Sequence, residues 1–506
     1  MRLPSRLLLT LLSAGLYGLS FPPYGSDAVA WFALVPFLIA LRGLPVGWTL
    51  LVAWLSGLMM AYAITDFLPS AVANYYGQGV PFGAFLFVSS VTVMCCLSHM
   101  AFAVWYRWPR RPTGVLAPFL VGAAWVVAEF VRGDLEGNPW GTVGYTQARV
   151  LPLVQIAEWT GVYGVSFLVV AMNAALADVT VATMERRSWR APAASVGLVA
   201  TLSVGTALFG FHRLGAIEAE PPGGVPIAIV QGNVDLGAQW REEFYGRNLR
   251  EYLEATRESR GHSPAPEVVF WPENAVTFFL QDEPLHRYAI GLALSDVGAQ
   301  LVTGGPHKES ASPTRFHNSA FLLEPTGDVL ARYDKQVLLP FAEYYPAWLS
   351  FFVRRRFDGV REFTAGEPTP PLPTAAGPAA VVTCNEGLFP RTVRERVDQG
   401  GGYIVNLAND AWLGVHKYSD RVLDIVAVRA IEHRQYVVRA SSSGGSAIVA
   451  PSGRVLVQSE PFTAEVLHGS IAARTEPTPY RRWGDAFVTL CALCVGLASA
   501  GSARRL

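Results

Sequence analysis

The chain has 506 residues, with 40 Lys+Arg against 40 Asp+Glu, so only 16% of its side chains are charged, where a soluble domain carries about 25%. With 51% hydrophobic residues and a mean hydropathy of +0.28, the composition excludes an ordinary soluble enzyme and a disordered chain alike. A net charge of zero argues against nucleic acid as a partner, because phosphate binding needs an excess of basic surface.

The charges are unevenly placed. Residues 1–215 hold about 9% charged side chains and the remainder about 21%, which predicts a membrane domain followed by a mostly soluble segment. Apolar runs long enough to approach a bilayer crossing, about 20 residues as a helix, lie near 6–22, 28–41, 46–65, 81–106, 113–131, 152–182 and 191–211, with an eighth near 483–500. The N-terminal run is followed by more apolar segments instead of a cleavage site and a polar domain, so it reads as the first helix. With the N-terminus in the cytoplasm, alternation puts Arg2, Arg6, Arg42, Arg107, Arg110, Arg111, Arg186, Arg187, Arg190, Arg504 and Arg505 on the cytoplasmic side and only Arg132 and Arg149 in the opposite short loops. That bias obeys the positive-inside rule. Both termini are then cytoplasmic, and residues 212–482 lie across the membrane. The domains expected are 1–215 (seven transmembrane helices), 222–475 (extracytoplasmic) and 483–501 (a last helix).

The soluble segment begins after the Pro/Gly-rich AIEAEPPGGVP. IAIVQGN (227–233), EVVFWPE (267–273), AQLVTGG (299–305), AAVVTCNE (379–386), GYIVNLAN (402–409) and SAIVAPSG (446–453) read as strands. Residues 241–258 and 419–435 read as helices by their apolar spacing, and 317–335 as a hairpin turning at Pro325–Asp328. Alternation of this kind predicts an α/β domain.

Three strand ends carry chemical groups: Glu273 in VVFWPENA, Lys335 in RYDKQVLLPFAEYYP and Cys384 in VVTCNEGLFP. Functional groups of α/β folds gather outside the carboxyl ends of strands. Cys384 is the only cysteine of the soluble segment, and Lys335 is one of three lysines in the chain, with Lys308 and Lys417. A thiol at a strand-to-helix turn can act as a nucleophile. Glu273 could take its proton and Lys335 could face an oxyanion. Singly, each has a plainer reading: a buried small residue, a turn carboxylate, a surface lysine. Cys491 and Cys494 form a CxxC inside an apolar run, a poor metal signal; no metal or cofactor is expected.

Glu, Lys and Cys in this order, with WPE, YDK…PFAEYYP and CNE, resemble the nitrilase (carbon–nitrogen hydrolase) superfamily. VQGNVDLGAQW, WPENA, YDKQVLLPFAEYYP, NLANDAWLG, RAIEHRQYVVRASSSG, EPTPYRRWGD and, in the membrane half, EFVRG…NPWGTVGYTQ look like its membrane-bound branch, the apolipoprotein N-acyltransferases. The resemblance implies a polytopic helical membrane domain of about eight helices plus a nitrilase-like αββα sandwich. It also implies a reaction, the last step of bacterial lipoprotein maturation. An acyl chain from a membrane phospholipid is held as a thioester on Cys384. It then passes to the α-amino group of the S-diacylglyceryl cysteine of an apolipoprotein. Carried over, Cys384 is the nucleophile, Glu273 the base and Lys335 the oxyanion partner, with Glu343 and Glu386 as supporting carboxylates. The implied location is the bacterial inner membrane with the catalytic domain in the periplasm, and a monomer is expected. Trp240 is a candidate for a lipid-entry loop. The aromatic run Phe341, Tyr344, Tyr345, Trp348, Phe351 and Phe352 is a candidate lid, with Arg354, Arg355 and Arg356 toward head groups. Asn385, next to the nucleophile, stands where the resemblance leads one to expect tyrosine, so a ring contact to substrate is missing there. The alternative is a membrane-anchored nitrilase-type amidase acting on small amides.

Overall fold

A computed structural model describes residues 1–107, 114–219, 223–234, 242–309, 314–340, 342–345, 362–413 and 416–503. Trp240, Phe341, Trp348, Phe351, Phe352, Arg354, Arg355, Arg356, Arg110, Arg111, Arg504 and Arg505 lie outside the described residues. Two compact units emerge. The first is Met1–Glu220 with Asp420–Glu432 and Pro477–Leu506; the second is Pro221–Ser419 with His433–Glu476.

The first unit is helical. Among the described residues, Val46–Thr65, Tyr163–Met184 and Arg190–Glu218 are long and apolar enough to cross a membrane, and Val80–Met94 with Cys96–Tyr106 pass together as a pair bent by 47°. The other expected spans are shorter or interrupted. The run at 28–41 is two short helices, Asp27–Ala30 and Val35–Ala40. The run at 113–131 is a helix over Ala117–Phe130 that passes into a π-turn over Val131–Leu135. The bend at Cys95 has a local cause: its backbone leaves the helical region (φ −147°), and its carbonyl instead accepts from Ser98 Oγ at 3.1 Å, with His99 Nδ1 at 3.2 Å. The run at 152–182 breaks at Gly161, where φ is +62° and an added Cβ would lie 2.8 Å from the Tyr480 ring. Only glycine fits both the conformation and the space.

The second unit holds twelve strands among the described residues: β1 (Val225–Gln231), β2 (Val268–Phe270), β3 (Gln300–Glu309), β4 (Arg315–Leu323), β5 (Val329–Asp334), β6 (Leu372–Thr374), β7 (Gly377–Thr383), β8 (Tyr403–Ala408), β9 (Val437–Ser441), β10 (Ala447–Val449), β11 (Val455–Gln458) and β12 (Glu465–Ile471). They form two six-stranded sheets, β12-β1-β2-β3-β4-β5 and β11-β10-β9-β8-β7-β6. The centre of each is parallel, β1-β2-β3 and β7-β8-β9, and the edges are antiparallel. Parallel neighbours need crossover connections, and helices Glu242–Glu258, Pro284–Val297, Pro390–Asp398 and His416–His433 supply them.

One apolar cluster takes side chains from both sheets, including Ile229, Phe270 and Leu322 from the first and Val381, Val405 and Ala440 from the second. A second cluster lies between the outer face of the first sheet and the helices Glu242–Glu258 and Pro284–Val297, around Trp271, Tyr252 and Leu294. The sheets therefore pack face to face with helices outside, the αββα sandwich. The expected strands and the 317–335 hairpin are present; β6, β9, β11 and β12 are strands that the sequence reading did not mark.

Candidate active site

Glu273, Lys335 and Cys384, the three expected catalytic residues, each hang from a strand end fixed by its neighbours. Trp271, fully buried after β2, donates its ring N–H to Thr256 Oγ1 at 2.9 Å and its backbone N–H to the Val302 carbonyl at 2.9 Å. Gly304 on β3 lets the chain at Glu273 pass close, since an added Cβ there would sit 2.5 Å from Glu273 Cα. Lys335 follows β5 and donates its backbone N–H to the Asn318 carbonyl on β4 at 2.8 Å. Cys384 follows β7 at φ +52°, a conformation costly for a residue with a Cβ and typical of functional turns. Asn406 on β8 holds that turn, donating Nδ2 to the Cys384 carbonyl at 3.1 Å.

The groups converge. The half-buried Cys384 lies within electrostatic reach of the Glu273 carboxylate and the Lys335 ammonium. Glu273 Oε1 accepts from Asn318 Nδ2 at 2.7 Å and lies 3.8 Å from Lys335 Nζ; its Oε2 accepts the Asn409 backbone N–H at 2.9 Å. Lys335 Nζ lies 3.0 and 2.9 Å from the two carboxylate oxygens of Glu343. Glu343 also receives Asn318 Nδ2 at 2.7 Å and the Leu339 N–H at 2.7 Å. The lysine is 1% exposed, so its charge is opposed by two carboxylates and shielded from water.

Burial pushes the Glu273 carboxyl up to about 6, with Glu343 adding to the rise and Lys335 opposing it. Burial, then the Glu273 charge, push the Cys384 thiol well up, against the pull of Lys335. The resting pair is therefore thiol and carboxylate near neutral pH. Burial alone would pull Lys335 down, but Glu343 and then Glu273 outweigh it and hold the ammonium charged.

Glu386 is fully buried. It accepts from the Tyr333 hydroxyl at 2.9 Å, from the backbone N–H groups of Gln336 and Val337 at 2.7 and 2.9 Å, and from that of Thr383 at 2.7 Å. It ties the residues after Lys335 to the residue before Cys384. Burial raises this carboxyl too.

Five sequence candidates, Glu273, Lys335, Cys384, Glu343 and Glu386, are thus brought together. Asn385 is buried beside Cys384. Tyr344 is half-buried and its backbone bridges to Pro340. Sequence reasoning did not single out Asn318, which holds two carboxylates at once, nor the network behind Cys384. In that network Arg439 donates to Asn406 and to Asp410, and Ser441 Oγ donates to Asp410 at 3.0 Å. A signal existed, since Asn318, Asn406 and Arg439 are polar residues inside buried strands, where polar groups need partners.

Comparison with known proteins gives two family matches: an apolipoprotein N-acyltransferase N-terminal domain over residues 13–175 and a carbon–nitrogen hydrolase domain over residues 226–480. The apolipoprotein N-acyltransferase of Geobacter metallireducens is 33% identical over 98% of this chain and 95% of its own. That of Bradyrhizobium diazoefficiens is 33% identical over 77% and 74%, and that of Pseudomonas syringae pv. tomato 28% identical over 97% and 96%. Among solved structures, an amidase of the nitrilase superfamily from Nesterenkonia AN1 aligns with 53% of this chain and 98% of its own at 19% identity and a TM-score of 0.40.

Proposed function

The chain belongs to the apolipoprotein N-acyltransferase family, and from that premise we propose how its residues N-acylate lipoproteins at a membrane. Glu273 takes the thiol proton of Cys384, and the sulfur attacks the ester carbonyl of a phospholipid. The oxyanion that develops faces the Lys335 ammonium, a compact charge held by Glu343 and Glu273. The intermediate collapses with loss of a lysophospholipid alkoxide, which recovers the proton from Glu273. The acyl chain is left as a thioester on Cys384. The α-amino group of a diacylglyceryl apolipoprotein then attacks the thioester, an amide forms, and the thiol is regenerated. Two easier steps replace one hard transfer, and ping-pong kinetics follow.

The observation that carries this reading is the Glu273 carboxylate held 3.8 Å from the buried Lys335 ammonium, with the Cys384 thiol in the field of both. Glu343 acts on Lys335, and Glu386 acts on the loops that bear Lys335 and Cys384. The same reading places residues 1–215 and 483–501 in the bacterial inner membrane, with cytoplasmic termini, and residues 222–475 in the periplasm, in a monomeric enzyme. It keeps Tyr344, Trp240 and Phe341 as candidate lipid contacts.

The test uses purified enzyme and phospholipid without acceptor. Mass spectrometry should find an acyl adduct on Cys384 of the wild type, released by a diacylglyceryl lipopeptide with formation of the N-acyl product. Cys384→Ala should form neither. An active Cys384→Ala enzyme would sink the mechanism. Ammonia release from small amides, with no lipid product, would point to the amidase alternative.

A further inference from the structure

Three buried asparagine oxygens lack a hydrogen-bond partner among the described residues: Oδ1 of Asn274, Asn318 and Asn385. All three sit one step from the triad. Asn274 follows Glu273 at φ +56°, Asn385 follows Cys384, and Asn318 donates Nδ2 to Glu273 Oε1 at 2.7 Å. Asn318 and Asn385 are 3% and 8% exposed, so bulk water does not serve them. Buried acceptors are normally paired, and unpaired ones call for an explanation.

The orientation of Asn318 is fixed by its neighbours. Its Nδ2 stands between Glu273 Oε1 and Glu343 Oε1, each at 2.7 Å. An ionised carboxylate only accepts, so turning the amide over would set oxygen against two carboxylates. Oδ1 must therefore point away from them and needs a donor from elsewhere.

The substrates differ in the donors they bring. A phospholipid ester and an acyl thioester have none at the reacting carbon, and a departing lysophospholipid hydroxyl has one. An α-ammonium group has three. We propose that Asn318 and Asn385, with Asn274 beside them, seat the α-amino group of the acyl acceptor through their Oδ1 atoms. The inference rests on the acyltransferase reading above and adds where its second substrate docks. Two N–H groups of the incoming ammonium are received by amide oxygens and the third points at Glu273. Glu273 removes that proton and exposes the lone pair. The neutral amine attacks the thioester carbon, the C–N bond forms and the C–S bond breaks. The second nitrogen proton goes to the departing Cys384 sulfur. Neutral amide oxygens suit this task, because they hold the amine without fixing its positive charge as another carboxylate would.

The experiment separates the two half-reactions in the full-length enzyme in detergent. With phospholipid alone, release of lysophospholipid reports thioester formation. With a diacylglyceryl lipopeptide added, N-acylation reports transfer. In Asn385→Leu the lysophospholipid burst should match the wild type, while KM for the lipopeptide rises about tenfold or more, as expected for one lost bond to a charged donor. Asn385→Asp, which keeps an acceptor oxygen, should return the lipopeptide KM to within about threefold of wild type, while its charge holds the ammonium and lowers the transfer rate. A lipopeptide with hydroxyl in place of the α-amino group should bind the wild type about tenfold more weakly than the amine, and the Leu variant should lose that preference. An unchanged lipopeptide KM in Asn385→Leu, or equal loss of both half-reactions, overturns the proposal. Absence of a burst in the wild type would instead overturn the acyltransferase mechanism.

Discussion

Glu386→Gln tests whether one buried carboxylate holds the site together. Oε1 accepts from Tyr333, Gln336 and Val337, and Oε2 accepts from Tyr333 and Thr383. Glutamine keeps the shape but offers one oxygen and an NH2. Its better orientation leaves the oxygen toward Gln336 and Val337 and turns NH2 against the Thr383 N–H. Stranding that donor costs ~1–3 kcal/mol, and reducing two charged hydrogen bonds to neutral ones costs ~1 kcal/mol each. Removing a carboxyl that burial has raised gives some of this back, so the net loss is ~3 kcal/mol. For a domain of this size that lowers Tm by ~6–12 °C. The strain falls on the residues flanking Lys335 and Cys384. If the same ~3 kcal/mol is lost from the transition state, thioester formation slows ~10²-fold. Thermal denaturation in detergent and the lysophospholipid burst measure the two effects. A variant within 2 °C and threefold of wild type on these readouts would refute the tethering argument.

Lys335→Met leaves Glu273 and Glu343 buried without their cation; it should cost ~3–5 kcal/mol of stability and ~10²–10³ in kcat, with the stability loss shrinking in acid as Glu273 protonates. Thioester formation should rise with pH through about 6, where Glu273 ionises. In Glu343→Gln that limb should move to lower pH, because a neighbouring negative charge is gone and Lys335 is freed toward Glu273. Stability should run the other way. The native state holds the Glu273 proton more tightly than the unfolded chain, so this group's contribution is full below its ordinary range and is lost as pH rises through about 6, which chemical denaturation at pH 4.5 and 7 can measure. For topology, an alkaline phosphatase reporter fused after residue 230 should be active in intact cells and one fused after residue 187 inactive; the reverse pattern contradicts the arginine bias.

The convergence of Glu273, Lys335 and Cys384 was legible because each ends an apolar strand and differs in type from its surroundings. Lys335 stands out in a chain that prefers arginine, and Cys384 in a segment without another cysteine. Asn318 was not legible, because its role depends on strand register. It lies in β4, and only the antiparallel return of β5, with Ser319 opposite Asp334, brings Lys335 to it, while the sheet order β2-β3-β4 brings Glu273. The β12 strand was missed for a similar reason. EVLHGSI alternates too weakly to announce a strand, and its place is set by seven-residue pairing with β1. In the helical unit, hydropathy found the apolar runs but not their breaks. A stretch such as 81–106 reads as one helix until Ser98 and His99 engage the Cys95 carbonyl and stabilise a bend.

The two sheets explain why so much of the sandwich must be in place before any chemistry is possible. Glu273 and Lys335 end strands of the first sheet, while Cys384 and the Asn409 N–H that fixes Glu273 Oε2 end strands of the second. No single sheet contains the site. The distance from thiol to carboxylate is therefore set by the thickness of the apolar layer between the sheets, where Phe270, Val381 and Val405 meet. Interiors are close-packed and transmit strain instead of absorbing it. Glu386 adds a polar cross-tie over the same seam, from Tyr333 on β5 to Thr383 on β7. The apolar layer sets the gap, the cross-tie sets the register across it, and the left-handed turn at Cys384 can persist because both are satisfied.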